Sequence, residues 1–181
     1  SLTMRLFIAI DLPENVKDYL YDLQRSLNKN NGKVSWVHKK NLHLTLKFLG
    51  EVDDSKLDEL KELLRIIKFK EFSANLNGFG AFPSLESPNV LWVGLKPEEE
   101  VIKLARFVDE ETLLFSKSDV QFKTHLTIGR VKLIKFKKEF LTDLKKINVE
   151  KIKFKINSFT LYKSTLKNQS AVYGKVEEYK F

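Results

Sequence analysis

The chain has 181 residues, 43% of them apolar, with 32 Lys plus Arg against 24 Asp plus Glu and a formal net charge of +8. That length and apolar content predict one compact domain or two tightly fused lobes, and exclude both a disordered chain and a string of independent domains. The absence of cysteine rules out disulfide frameworks, thiolate zinc sites, iron–sulfur clusters and cysteine nucleophiles together.

Hydrophobic periodicity orders the chain into strands and helices. Residues 5–10 read as a strand ending at Asp11-Leu12-Pro13, a helix start with proline in its first turn. Val16, Tyr19, Leu20, Leu23 and Leu27 recur at helical spacing until Asn30-Asn31-Gly32 stops them. Strand-like runs follow at 34–37 and 42–49, then a helix carrying Leu57, Leu60, Leu64 and Ile67. Residues 72–76 and 90–95 read as strands around a turn-rich stretch, 78–88, and Val101, Leu104, Ala105 and Val108 mark a third helix. A strand at 122–131, a short helix through Phe140, Leu141, Leu144 and Ile147, and two strands at 152–162 and 172–179 complete the α+β pattern. The apolar runs, such as 6–10, are too short to span a bilayer and no signal peptide is visible, so a cytoplasmic protein with no membrane partner is expected. Ser1, Leu2 and Thr3 precede Met4 and are expected to fall outside the native reading frame, leaving a single domain over 4–181.

The basic lean is compatible with a polyanionic partner. In 151–156 lysines alternate with apolar residues, which describes a half-buried strand with a solvated lysine face, protective at a sheet edge or attractive to RNA. Charge alone does not choose between them.

One short pattern occurs twice: His43-Leu44-Thr45-Leu46 and His125-Leu126-Thr127-Ile128. With only three histidines and eight threonines, chance predicts roughly 0.13 His-x-Thr matches. On a regular strand His43, Thr45 and Lys47 share one face, opposite Leu42, Leu44, Leu46 and Phe48. Likewise Lys123, His125 and Thr127 oppose Phe122, Leu126 and Ile128. Two imidazoles facing each other across a cleft suit acid–base chemistry at phosphate, one taking a proton from the attacking oxygen and one giving a proton to the leaving oxygen. The two threonine hydroxyls would hold non-bridging phosphate oxygens, and no metal is required.

These paired motifs, with the flanking RLFIAIDLPENV, WVHKKNLHLTLKFLGEV, FGAFPSLESPNVLWVGL, HLTIGRV and the C-terminal LYKSTLKNQSAVYGKVEEYKF, resemble the 2H phosphoesterase superfamily. The likeness is greatest to its bacterial and archaeal RNA 2′,3′-cyclic phosphodiesterases, also called 2′-5′ RNA ligases, and it runs over nearly the whole chain from Met4. The resemblance implies a bilobal, pseudo-symmetric α+β fold, with two antiparallel sheets facing a central cleft and helices packed outside. It implies opening of RNA 2′,3′-cyclic phosphate ends to a 2′-phosphomonoester, with reversible 2′-5′ ligation on the same groups. In that scheme His43 is the proton donor, His125 the proton acceptor, and Thr45 and Thr127 hold the phosphate. The implied partner is RNA with cyclic phosphate ends, tRNA fragments included, acted on by a monomer without cofactor or metal. The motifs equally suit a related enzyme of small nucleotide-derived cyclic phosphates, and a non-catalytic nucleotide- or RNA-binding module is the reading from outside enzymology.

Further residues are weighed singly. Lys47 has the parity of a phosphate neighbour or of a solvated strand lysine. Arg130 suits a phosphate or base contact, but strict alternation turns it away from His125 unless Gly129 hosts a bulge or the strand ends there. Arg5, Phe7 and Ala9 share a face, so if that strand lies in the cleft Arg5 and Phe7 join the substrate-binding set, Phe7 by stacking on a base or else by packing in the interior. Trp36 and Trp92 are expected in the core, His38 as a surface or structural histidine, and Tyr162 in either place.

Overall fold

Nine strands and four helices follow one another in a computed structural model that describes residues 2–27, 29–119 and 121–181. The order is β1 (Thr3–Asp11), α1 (Glu14–Leu27), β2 (Gly32–Trp36), β3 (His43–Asp53), α2 (Leu57–Arg65), β4 (Phe72–Pro83), β5 (Pro88–Lys96), α3 (Glu98–Glu111), β6 (Leu126–Ile134), α4 (Lys137–Lys145), β7 (Lys153–Ile156), β8 (Ser158–Lys167) and β9 (Ser170–Lys180). The strands form two antiparallel sheets, β3-β1-β8-β9 and β2-β6-β5-β4-β7, in agreement with the expected α+β architecture.

Each sheet has one face under helices and one turned to a cleft. In β1, Leu6, Ile8 and Ile10 enter a buried apolar cluster shared by both sheets, while Phe7 and Ala9 form a separate small cluster with Tyr162 on the other face. The helices are exchanged between the halves: α3, which follows a strand of the five-stranded sheet, packs on β3, and α1, which follows β1, packs on β6. Leu104 and Val108 of α3 and Val16 and Leu20 of α1 are fully covered there. Burying such a side chain stabilises the fold by about 1.5–3 kcal/mol, so neither half has a core of its own.

Three boundaries differ from the periodicity reading. The turn-rich 78–88 stretch is mostly strand, because β4 runs to Pro83 and only a tight reversal leads to β5 at Pro88. The strand expected from 122 begins only at Leu126. The run 152–162 is divided at Asn157 between edge strand β7 of one sheet and β8 of the other. Lys153 and Lys155 of β7 are exposed and alternate with buried Phe154 and Ile156, as expected for a solvated edge. Among the described residues, no helix is long and apolar enough to cross a membrane.

Candidate functional site

Both His-Leu-Thr motifs carry a β-bulge at their fourth residue. In β3, Thr45 pairs with Ala9 and Lys47 with Ile8, leaving Leu46 as the extra residue. In β6, Thr127 pairs with Trp92 and Gly129 with Leu91, leaving Ile128 extra. A bulge reverses the inside–outside alternation beyond it. Lys47 therefore shares the helix-covered face with its partner Ile8, and Phe48 shares the cleft face with Phe7. Arg130, paired with Val90, returns to the cleft face of Thr127. Gly129 permits this close approach: a Cβ there would lie 2.7 Å from the Trp36 ring and 2.8 Å from Val34.

The two histidines are held alike. His43 Nδ1 lies 2.5 Å from the Asn41 carbonyl and His125 Nδ1 lies 2.7 Å from the Lys123 carbonyl. A carbonyl only accepts, so each Nδ1 carries a proton and each Nε2 is free for chemistry. The Nε2 of His43 is 2.8 Å from the Thr45 hydroxyl, which donates to it while the ring is neutral. Both rings and both threonines line one cavity of about 330 Å³, with Phe82, Lys123 and Arg130 at its walls.

Their surroundings differ. His43 is packed among Phe7 (ring centroids 5.0 Å), Tyr173 (5.3 Å) and Tyr162 (6.1 Å). Burial lowers its pKa below the ordinary 6.5, against the opposing pull of the Asn41 carbonyl and the Asp11 carboxylate. Burial acts to raise the Asp11 pKa, but Lys17 at 3.0 Å and Lys175 at 3.1 Å outweigh it and leave the carboxyl below its usual value. Tyr162, buried and near Asp11, is pushed up to about 12 and stays a neutral phenol. Among the described residues, His125 meets one ring edge-on, Phe82 at 5.0 Å, over which the Lys123 ammonium sits at 5.4 Å.

Each bulge is fastened by a helix from the other half of the chain. The buried Gln24 amide of α1 donates to the carbonyls of Ile128 (2.8 Å) and Val37 (2.9 Å). Lys47, 2% exposed, reaches Asp109 of α3 at 2.9 Å and donates to the Asp109 and Ser116 carbonyls at 3.3 and 3.5 Å. Asp109 in turn accepts from the Ser118 hydroxyl and the Asp119 amide, on the segment that leads to His125. The Asn41 side chain donates to the Ala171 carbonyl, tying the β8–β9 hairpin to the start of β3.

The structure thus brings His43, Thr45, His125, Thr127 and Arg130 together and corrects several other expectations. Lys47 borders the cavity, but the bulge at Leu46 turns its ammonium into an interior ion pair with Asp109 rather than toward the histidines. Phe7 offers no face to a base: it is 2% exposed, stacked on Tyr162 at 5.2 Å and touched edge-on by Tyr173 at 4.8 Å, and it props His43 instead. Trp92 lies on the cleft face, its ring over Gly80, where a Cβ would come within 2.3 Å, and Trp36 is half-buried against the core rather than within it. Arg5 is on the cleft face but outside the histidine cavity, 3.6 Å from Glu51. His38 is exposed as expected. Phe48, placed with the core by alternation, is 68% exposed. Tyr173, Phe82, Asn41 and Gln24 carried no local signal, since each acts through a partner distant in the chain. Among the described residues, no three His, Asp or Glu side chains converge as a metal-ligand set.

With this geometry, the family model described as LigT like Phosphoesterase matches residues 10–92 and again residues 93–173, so each half matches the same pattern. The RNA 2′,3′-cyclic phosphodiesterase of Thermotoga maritima is 37% identical over 181 residues, covering 98% of this chain and 96% of its own. That of Methanocaldococcus jannaschii is 36% identical, covering 97% of this chain and 100% of its own. Among solved structures, E. coli LigT complexed with 3′-AMP superposes with a TM-score of 0.78 at 26% identity, covering 99% of this chain and 98% of its own.

Proposed function

Since the chain belongs to the LigT-like phosphoesterase family, we propose that it hydrolyses the 2′,3′-cyclic phosphate at RNA 3′ ends to a 2′-phosphomonoester, using His43 and His125 as a proton-transfer pair. The observation that carries this reading is the matched tethering of the two imidazoles, each held through Nδ1 by the carbonyl two residues earlier and each presenting Nε2 to one cavity.

The neutral His125 Nε2 takes a proton from water as the oxygen attacks phosphorus. The bond from phosphorus to the 3′ oxygen breaks, and His43 Nε2–H delivers a proton to that oxygen. One proton enters at His125 and one leaves from His43, so the pair exchanges protonation states over a turnover. Thr45 and Thr127 hydroxyls hold the non-bridging oxygens, with Arg130 and Lys123 complementing their charge. His43 must be protonated to act, which its buried position opposes in the free protein; the anionic phosphate beside it restores the proton by direct Coulomb attraction. With the 5′-hydroxyl of a second RNA in place of water, the same transfers form a 2′-5′ linkage. One chain supplies every group, so a monomer suffices, and cleaved tRNA is one source of such ends.

The product tests this. Phosphorus NMR of a nucleoside 2′,3′-cyclic phosphate incubated with the protein is expected to show only the 2′-monoester. A 3′-monoester or a mixture would contradict departure of the 3′ oxygen.

A further inference from the structure

Two register shifts in β3 turn an apolar side chain outward beside the catalytic cleft. Beyond the bulge at Leu46, a second irregularity at Leu49 sets Phe48 opposite Phe7 and Gly50 opposite Leu6. Phe48 is consequently 68% exposed. A second cavity of about 740 Å³ starts there and extends over the cleft face of the four-stranded sheet, bordered by Arg5, Glu51, Ser164, Leu166 and Tyr173. Phe48 and Tyr173 border both this cavity and the one holding the histidines, so the two adjoin. Leu166, opposite Ala171 near the tip of the β8–β9 hairpin, is 81% exposed. The registers also give a spacing. Thr45 pairs with Ala9, Phe48 with Phe7 and Glu51 with Arg5, so successive sites lie about 7 Å apart along the sheet.

An RNA ending in a cyclic phosphate continues only toward its 5′ side, and that strand must leave the histidine cavity. The space behind His43 is only about 90 Å³ and is lined by Asp11, Lys17 and Lys175, already paired with one another. The opening beside Arg130 is about 210 Å³ and bordered by Ser35, Gln169 and Ser170. A further cavity of about 420 Å³ beside Leu46 and Phe122 is bordered by Asp109, Glu110 and Asp119, whose carboxylates repel an RNA strand. The groove at Phe48 has the largest volume of the four and an exposed ring in its floor, which is what an unpaired base binds.

We propose that this groove is the subsite for the penultimate nucleotide of single-stranded RNA. Its base stacks on Phe48 with Leu166 at its edge, and the next phosphate takes the place of Glu51 beside Arg5. The Arg5–Glu51 pair at 3.6 Å has side chains 67% and 56% exposed, such surface pairs contribute little, and the Glu51 carboxylate keeps the Thr3 hydroxyl at 2.8 Å when it releases Arg5. The proposal rests on the cyclic phosphodiesterase reading and adds that the protein selects oligonucleotides over mononucleotides.

The test compares kcat/KM for a nucleoside 2′,3′-cyclic phosphate and for a trinucleotide ending in the same cyclic nucleotide. The wild type is expected to prefer the trinucleotide at least about tenfold, as one stacked base predicts. Phe48→Ala should remove most of that preference through KM, and Leu166→Ser, remote from the histidines, should lower it several-fold while leaving the mononucleotide rate unchanged. Arg5→Ala should weaken the salt dependence for the trinucleotide alone. Equal kcat/KM for the two substrates in wild type, or equal losses on both in Phe48→Ala and in Leu166→Ser, would overturn the subsite and leave the reaction standing. No turnover of either substrate would overturn the reaction itself.

Discussion

His43 and His125 differ less in how they are tethered than in what covers them. Each gives its Nδ1 proton to a backbone carbonyl, but three aromatic rings surround His43 and one meets His125. Substituting either histidine by alanine should lower the rate by roughly 10²–10⁴, the range for one acid–base group, and the double variant should lose far less than the product of the two. The pH dependence follows from the covering of His43. An acid must hold its proton, and the pKa of His43 in the free protein lies below 6.5. The profile of kcat/KM, which reports the free protein, should therefore fall as pH rises through a value under 6.5. Tyr173→Ala, by opening His43 to water, should move that fall to higher pH; a profile unmoved by the substitution would count against His43 as the acid.

At the scale of the elements, the two bulges separate what the sequence discloses from what it conceals. The spacing of His, Leu and Thr placed the imidazoles and hydroxyls on one face, because these residues precede each bulge. The residues just after each bulge are inverted. Lys47 and Phe48 exchanged faces, and Arg130 reached the cleft, because an extra unpaired residue leaves no trace in an alternation pattern. The Lys47–Asp109 pair is invisible for a different reason: its members are far apart in sequence, and only the docking of α3 on β3 joins them. Asp109→Asn leaves a buried ammonium without its counter-charge, which should destabilise the fold by about 3–5 kcal/mol, readable as a lower denaturant midpoint. Burial acts to raise the Asp109 pKa, but the Asp119 amide, the Ser118 hydroxyl and Lys47 hold it below 3.8. Its contribution is thus complete above that value and is lost as pH falls through the lower folded one. Acid unfolding of the wild type should therefore be steeper than that of Asp109→Asn.

The whole molecule is two similar halves that cannot stand apart. Both match one family pattern, yet α1 of the first half packs on β6 of the second, α3 of the second packs on β3 of the first, both sheets take strands from both halves, and one large apolar cluster spans them. Periodicity revealed the helices and most strands, whereas the exchange of helices depends on chain crossings that no local pattern records. Unfolding is accordingly expected to be a single transition, with near-ultraviolet and far-ultraviolet signals coincident; two separated transitions would show that the halves are independent. This shared core explains how two motifs 82 positions apart can act as a pair, since each is fastened by a helix of the opposite half. The most direct measurement is turnover of a short RNA with a 2′,3′-cyclic phosphate end, in EDTA, by wild type and by His43→Ala and His125→Ala. Conversion to the 2′-phosphate by the wild type, with losses of roughly 10²–10⁴ in both variants, is the predicted result. Near wild-type turnover by either variant would contradict the two-imidazole mechanism.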